Sequence, residues 1–126
     1  MIATYCEIAP EEVWSILPLF PSGYRVLERG PDGGSWRSFN GLQVIASVCR
    51  EADGKRWIHV SFSRPKRLPD WNDIKMVKRD FIGPDRVAIQ VLPRESEYYN
   101  AHPYCLHLWS CMDGDPVPDF RKEGHI

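Results

Sequence analysis

The sequence predicts an α+β domain, an antiparallel-rich β-sheet of about five strands with two helices packed on one face. Three observations predict it. Residues 42–63 alternate apolar and polar side chains on both sides of Asp53-Gly54, a hairpin signature. Residues 68–84 carry a capped pattern of helical period. Shorter alternating runs at 24–27, 86–92 and 104–112 supply further strands.

Pro10, Glu11 and Glu12 start a first helix, because proline suits the first helical position and carboxylates favour the positive end of the helix dipole. Val13, Trp14 and Leu17 then share one face, and Pro18 ends the helix. Tyr24 to Leu27 form a first strand, succeeded by a mobile loop at Gly30-Pro31-Asp32-Gly33-Gly34. A two-residue Asp53-Gly54 turn places Val48 opposite His59, Ala46 opposite Ser61 and Cys49 opposite Ile58. One face then holds Ile45, Cys49, Ile58, Val60 and Phe62. The other holds Val44, Ala46, Val48, Trp57, His59, Ser61 and Ser63.

Asp70 is the expected N-cap of the second helix, with Asp73 in its first turn. Trp71, Ile74, Val77, Lys78 and Phe81 recur at helical spacing and form its sheet-facing stripe. Gly83 and Pro84 end it, a left-handed cap before a residue that cannot continue a helix. Arg86 to Leu92 and Tyr104 to Met112 are the last strands.

The 126 residues, 43% hydrophobic and 26% charged, suit one domain over residues 1–113, with a polar C-terminal tail over 114–126. The composition excludes wholesale disorder, and a net charge of −1 disfavours nucleic acid as a partner. Four cysteines without a CxxC pair, no basic start with an apolar signal core, and no apolar run of about 18 residues predict a cytoplasmic protein that does not enter a membrane.

The residues that carry chemistry gather on two strands. His59 and Ser61 share a strand face about 7 Å apart, a spacing that can present an imidazole and a hydroxyl to one phosphate. Cys105, His107, Trp109 and Cys111 share a parity on the last strand, so His107 faces His59 where the two faces coincide. Gln90 joins by the same rule. Two imidazoles can act as acid and base, with Ser or Gln holding an oxyanion. The competing reading is a half-buried Trp and His satisfied by hydrogen bonds.

Three further groups stand out. His102, Cys105, His107 and Cys111 are potential zinc ligands, but an extended strand would hold the two cysteines about 20 Å apart, so no metal or cofactor is assigned. Tyr99, Asn100 and His102 lie in an aromatic-rich loop suited to stacking on a ligand or partner, together with Trp57, Gln90 and Trp109. Arg64, Lys66, Arg67, Lys75, Lys78 and Arg79 make the second helix and its approach locally basic, a solvated face offset by Asp70, Asp73 and Asp80.

His59-Val60-Ser61-Phe62 resembles one half of the signature of the two-histidine phosphoesterases, which carry His, hydrophobic, Ser or Thr, hydrophobic twice. That resemblance implies an acid or base at His59 and a phosphate ligand at Ser61. His107-Leu108-Trp109-Ser110 departs from it, with tryptophan where Ser or Thr belongs. A second resemblance rests on Trp57-Ile58-His59-Val60-Ser61-Phe62-Ser63-Arg64, Leu68-Pro69, Trp71, Lys75, Val77, Lys78, Phe81-Ile82-Gly83, Ile89-Gln90-Val91-Leu92-Pro93, Tyr99-Asn100, His102-Pro103 and Cys105-Leu106-His107-Leu108-Trp109. Over residues 57–109 the chain resembles an uncharacterised family of small proteins of tailed phages and prophages, which implies a bacterial cytoplasmic setting and no known activity.

The expectation is an accessory protein that binds a host or phage partner, or a small ligand, through the His59 and His107 sheet face. The alternative is a metal-independent phosphoester or nucleotide hydrolase with His59, Ser61 and His107 as its catalytic groups.

Overall fold

The computed structural model describes residues 4–5, 8–51, 53–83, 90–91 and 104–113. In chain order the elements are β1 (Thr4–Tyr5), α1 (Pro10–Ile16), β2 (Tyr24–Arg29), β3 (Gly33–Ser38), β4 (Gln43–Glu51), β5 (Arg56–Ser63), α2 (Trp71–Val77), a π-helical turn (Lys78–Ile82), β6 (Gln90–Val91) and β7 (Cys105–Cys111). The strands form one antiparallel sheet ordered β2-β3-β4-β5-β7-β6, with β1 on the far half of β4. Five long strands and two helices make it the expected α+β domain. None of the described helices is long and apolar enough to cross a membrane.

The β4–β5 hairpin corrects the expected register. Val48 stands opposite Ile58 and Ser47 opposite His59, with Arg50 and Arg56 the last pair. Residues of like parity face each other, which requires an odd number of loop residues, whereas a two-residue turn pairs unlike parities. Gly54 takes the left-handed conformation with φ 92°, and Asp53 Oδ1 accepts a hydrogen bond from the Lys55 amide at 2.9 Å. A left-handed glycine fits a hairpin loop of odd length.

The shift sorts the two faces anew, because a one-residue slip moves one strand's whole side-chain set across the sheet. Val44, Ala46 and Val48 of β4 join Ile58, Val60 and Phe62 of β5 on a fully apolar face, every one of them at most 1% exposed. Leu106 and Leu108 of β7 and Trp36 of β3 continue it. The opposite face carries Gln43, Ile45, Ser47 and Cys49 beside Ser63, Ser61, His59 and Trp57.

Both helices pack on the apolar face. Val13 of α1 and Leu17 at its C-terminal cap are buried there, as expected, and Trp14 meets Trp36 edge-on at 6.4 Å. Phe81 lies edge-on to Trp36 at 4.9 Å and to Tyr24 at 5.1 Å. Gly33 and Gly34, expected in a loop, begin β3. A Cβ on Gly33 would come 2.2 Å from the Ala46 carbonyl oxygen, so only glycine lets β3 run this close to β4. Glycine content reads as a turn until such a close approach explains it.

Helix α2 has the expected cap. Asp70 accepts from the Asp73 amide at 3.0 Å and the Asp73 carboxylate accepts from the Asp70 amide at 3.0 Å, a reciprocal capping box. The expected stripe is corrected at two positions, since Trp71 is 63% exposed and Lys78 is exposed, while Val77, Phe81 and Ile82 are buried. Trp71 is the first helical residue, and the inward position of that turn belongs to Asp73, which is 4% exposed. The π-helical turn then changes the phase and brings adjacent Phe81 and Ile82 both inward. Trp71 instead lies under Lys75, whose Nζ is 5.7 Å from its ring centroid.

Two charge networks tie the layers together. Arg50 bonds Glu12 of α1 at 2.5 Å, and Arg56 bonds Asp113 at 2.9 Å, fastening the hairpin end to α1 and to the end of β7. At the other end of β5, Arg64 bonds Asp73 of α2 and the Asn40 carbonyl.

Candidate functional site

The sheet face opposite α1 and α2 places the candidate residues in cross-strand rows. Ser47, His59 and Trp109 are register partners across β4, β5 and β7, and Gln90 of β6 pairs with Trp109. One row along, Ser35, Ile45, Ser61 and His107 are successive partners. On the other side, Cys49 and Cys111 flank Trp57. His59 and His107 share a face, as strand parity predicts, although the β4 partner of His59 is Ser47 and not the expected Val48.

The two histidines are in direct contact. His59 Nε2 lies 2.8 Å from His107 Nδ1, with the rings parallel to within 4° and their centroids 5.1 Å apart. Trp109 stacks on His59, with centroids 4.0 Å apart and an interplanar angle of 19°. His107 is 0% exposed, and Trp109 is 9% exposed. Half-buried His59 is therefore the member of the trio that reaches solvent.

Burial pushes the His59 pKa down from 6.5 to about 4. At neutral pH the ring is uncharged, with one proton on its two nitrogens. Where His59 Nε2–H donates to His107 Nδ1, His59 Nδ1 is an acceptor. Where His107 Nδ1–H donates to His59 Nε2, His59 Nδ1 carries the proton and donates. In both tautomers Nδ1 has no hydrogen-bond partner among the described residues.

Ser61 is engaged elsewhere. Its Oγ lies 2.9 Å from Cys105 Sγ, in the row next to His59. Burial raises the Cys105 pKa, against the smaller effect of the Ser61 hydrogen bond, so the thiol is held protonated. Cys105 and Cys111 form no disulfide, and no group of three or more metal-ligating side chains converges among the described residues. Trp57 is buried at 3% exposure on the same face. Gln90 is placed by its backbone register, and Tyr99, Asn100 and His102 lie outside the described residues.

Of the basic residues around α2, Arg64 is paired with Asp73, Arg79 with Asp80 at 2.7 Å, and Arg67 approaches Asp70 at 3.8 Å. Neither strand parity nor helical period points to the Arg64–Asp73 link. Its one signal is the capping residue itself, since the same Asp73 oxygens that cap the helix also receive Arg64.

Residues 49–113, just over half of the chain, match the model of a family described as a domain of unknown function (DUF7694). No curated protein and no solved structure matches the chain. The matched segment runs from the end of β4 through β5, α2 and β7, and so contains His59, Ser61, His107 and Trp109.

Proposed function

The chain belongs to the DUF7694 family, and from that premise we propose that it is a binding protein whose sheet face opposite α1 and α2 holds a small ligand or a segment of a partner against His59. One observation carries this reading. His59 is held at its Nε2 by His107 and stacked on by Trp109, yet its Nδ1 has no partner among the described residues and the ring is half-buried. Such a nitrogen, fixed in direction and partly desolvated, discriminates ligands well, because a mismatched occupant leaves it buried without a partner. The resemblance to small proteins of tailed phages and prophages supports a bacterial cytoplasmic setting and an accessory role.

The hydrolase reading is favoured by the 2.8 Å bond between the two imidazoles, which supplies a proton path. Two features weigh against it. An imidazole with a pKa of about 4 is a weak base and is seldom protonated at neutral pH. Ser61, the phosphate ligand of that mechanism, is bonded to Cys105.

Incubating the purified protein, with chelator, against a panel of nucleotides and cyclic phosphodiesters separates the two. The binding reading expects every substrate intact. It also expects a ligand or partner retained from bacterial lysate by the wild type and lost in His59→Ala and Trp109→Ala, with circular dichroism unchanged. Turnover that falls at least about a hundredfold in His59→Ala would establish the hydrolase instead.

A further inference from the structure

The same face carries a second constellation, two rows from His59. Arg25 of β2 stands directly opposite Arg37 of β3, Arg37 opposite Gln43 of β4, and Gln43 opposite Ser63 of β5. Both arginines are exposed, and neither makes an ion pair with any described residue. Like charges directly opposed across strands work against the fold unless something neutralises them.

Beside them is a depression of about 330 Å³ lined by Arg37, Gly41, Gln43, Ser63, Arg64 and Pro65. No carboxylate of the described residues lines it. The charge of Arg64 is already met by Asp73, so the uncompensated positive charge is that of Arg37, reinforced by Arg25. Gln43 contributes an amide and Ser63 a hydroxyl. Arg64 fixes one wall, because it ties Asn40 of the β3–β4 turn to α2.

We propose that this depression is a binding site for a phosphate group, with Arg37 as its principal ligand, Gln43 and Ser63 as neutral donors, and Arg25 as a second charge. A guanidinium matches the oxygens of a phosphate better than any other side chain, and neutral donors beside it satisfy the remaining oxygens. The volume exceeds that of a bare phosphate and leaves room for the group that carries it. Ser63 and His59 are four residues apart on β5, roughly 13 Å along the strand, so one phosphorylated ligand of moderate length reaches both. This deepens the reading of the face as a binding surface and rests on it.

The test is a titration of the isotopically labelled full chain, monitored through its backbone amides, at fixed ionic strength. Inorganic phosphate is the first probe, with a mononucleotide and vesicles containing phosphatidic acid as separate arms. Saturable shifts centred on Gly41, Gln43, Ser63 and Arg64, weakened about tenfold or more in Arg37→Gln and less in Arg25→Gln, support the site. Tighter binding of the mononucleotide than of phosphate identifies a soluble phosphoester as the source of the group, and response to the vesicles alone identifies a lipid headgroup. Linear, unsaturating shifts, shifts that survive Arg37→Gln, or shifts centred on Lys75 and Lys78 overturn the proposal. Phosphate binding lost in Arg37→Gln with partner retention indifferent to His59→Ala sinks the histidine reading alone, and the reverse pattern sinks the phosphate site alone.

Discussion

The Arg64 guanidinium holds both carboxylate oxygens of Asp73, with Nε 2.9 Å from Oδ2 and the second terminal nitrogen 2.5 Å from Oδ1. Their side chains are 11% and 6% exposed. This pair joins the end of β5 to the first turn of α2, and Asp73 meanwhile caps that helix. A carboxylate with two such duties is hard to replace.

Asp73→Ala is therefore expected to destabilise the domain by about 3 to 5 kcal/mol, because it strands the Arg64 charge in a poorly solvated place and removes a cap. Urea unfolding of Asp73→Ala, Arg64→Ala and the double variant checks this. A double variant close to either single one confirms that the two residues act as a unit. The Arg64 hydrogen bonds also hold the Asp73 pKa below its ordinary value. A depressed carboxylate contributes stability above its unfolded pKa, and this contribution is lost as the pH falls through the folded value.

His59 gives a second pH signature, in a higher window. Its folded pKa of about 4 lies below the ordinary 6.5, so the unfolded chain binds the proton more readily. Stability is complete above about pH 6.5 and falls between there and pH 4, by up to about 3 kcal/mol in all. Thermal midpoints measured from pH 7 to pH 4.5 should decline in the wild type. The decline should be shallower in His59→Phe.

The observed hairpin register separates two isoleucines that the two-residue turn would put on one face. Ile58 is 0% exposed and Ile45 is 52% exposed. Ile58→Ala should cost about 2 to 5 kcal/mol, whereas Ile45→Ala should cost about 0.5 kcal/mol or less. Equal costs in chemical denaturation would contradict the register.

A similar contrast applies to the second helix. Trp71→Ala removes an exposed ring and should change stability by no more than about 1 kcal/mol. Phe81→Ala removes a ring packed edge-on against both Trp36 and Tyr24, and should cost about 3 to 5 kcal/mol. Thermal unfolding of the two variants decides it.

Much of the architecture is legible in the sequence because it rests on local chemistry. The Asp70 cap, the Pro10 helix start and the left-handed Gly83 are decided by neighbours a few residues away, as is the shared face of His59 and His107, which needs only strand parity. The hidden features depend on partners distant in sequence. Asp53-Gly54 reads as a two-residue turn, and the odd-length connection that forms is preferred only once Val44, Ala46 and Val48 are set against Phe62, Val60 and Ile58 in one apolar layer. Trp71 looks like a core residue by composition and spacing. It yields the inward position to Asp73, because Arg64 arrives from β5 to neutralise the carboxylate. The Gly33-Gly34 pair looks like a loop until the approach of the β4 backbone gives it a reason to be a strand.

The π-helical turn from Lys78 to Ile82 makes length as well as composition a constraint on the second helix. A chain shorter by one residue there would close as ordinary α-helix and rotate every later helical residue by about 100°. Phe81 or Ile82 would then swing from the core to water. Single-residue deletions between Val77 and Gly83 would thus act on this fold as rotations, and lineages that keep the Phe81 contact with Trp36 must conserve the count of residues before it even where the residues themselves drift.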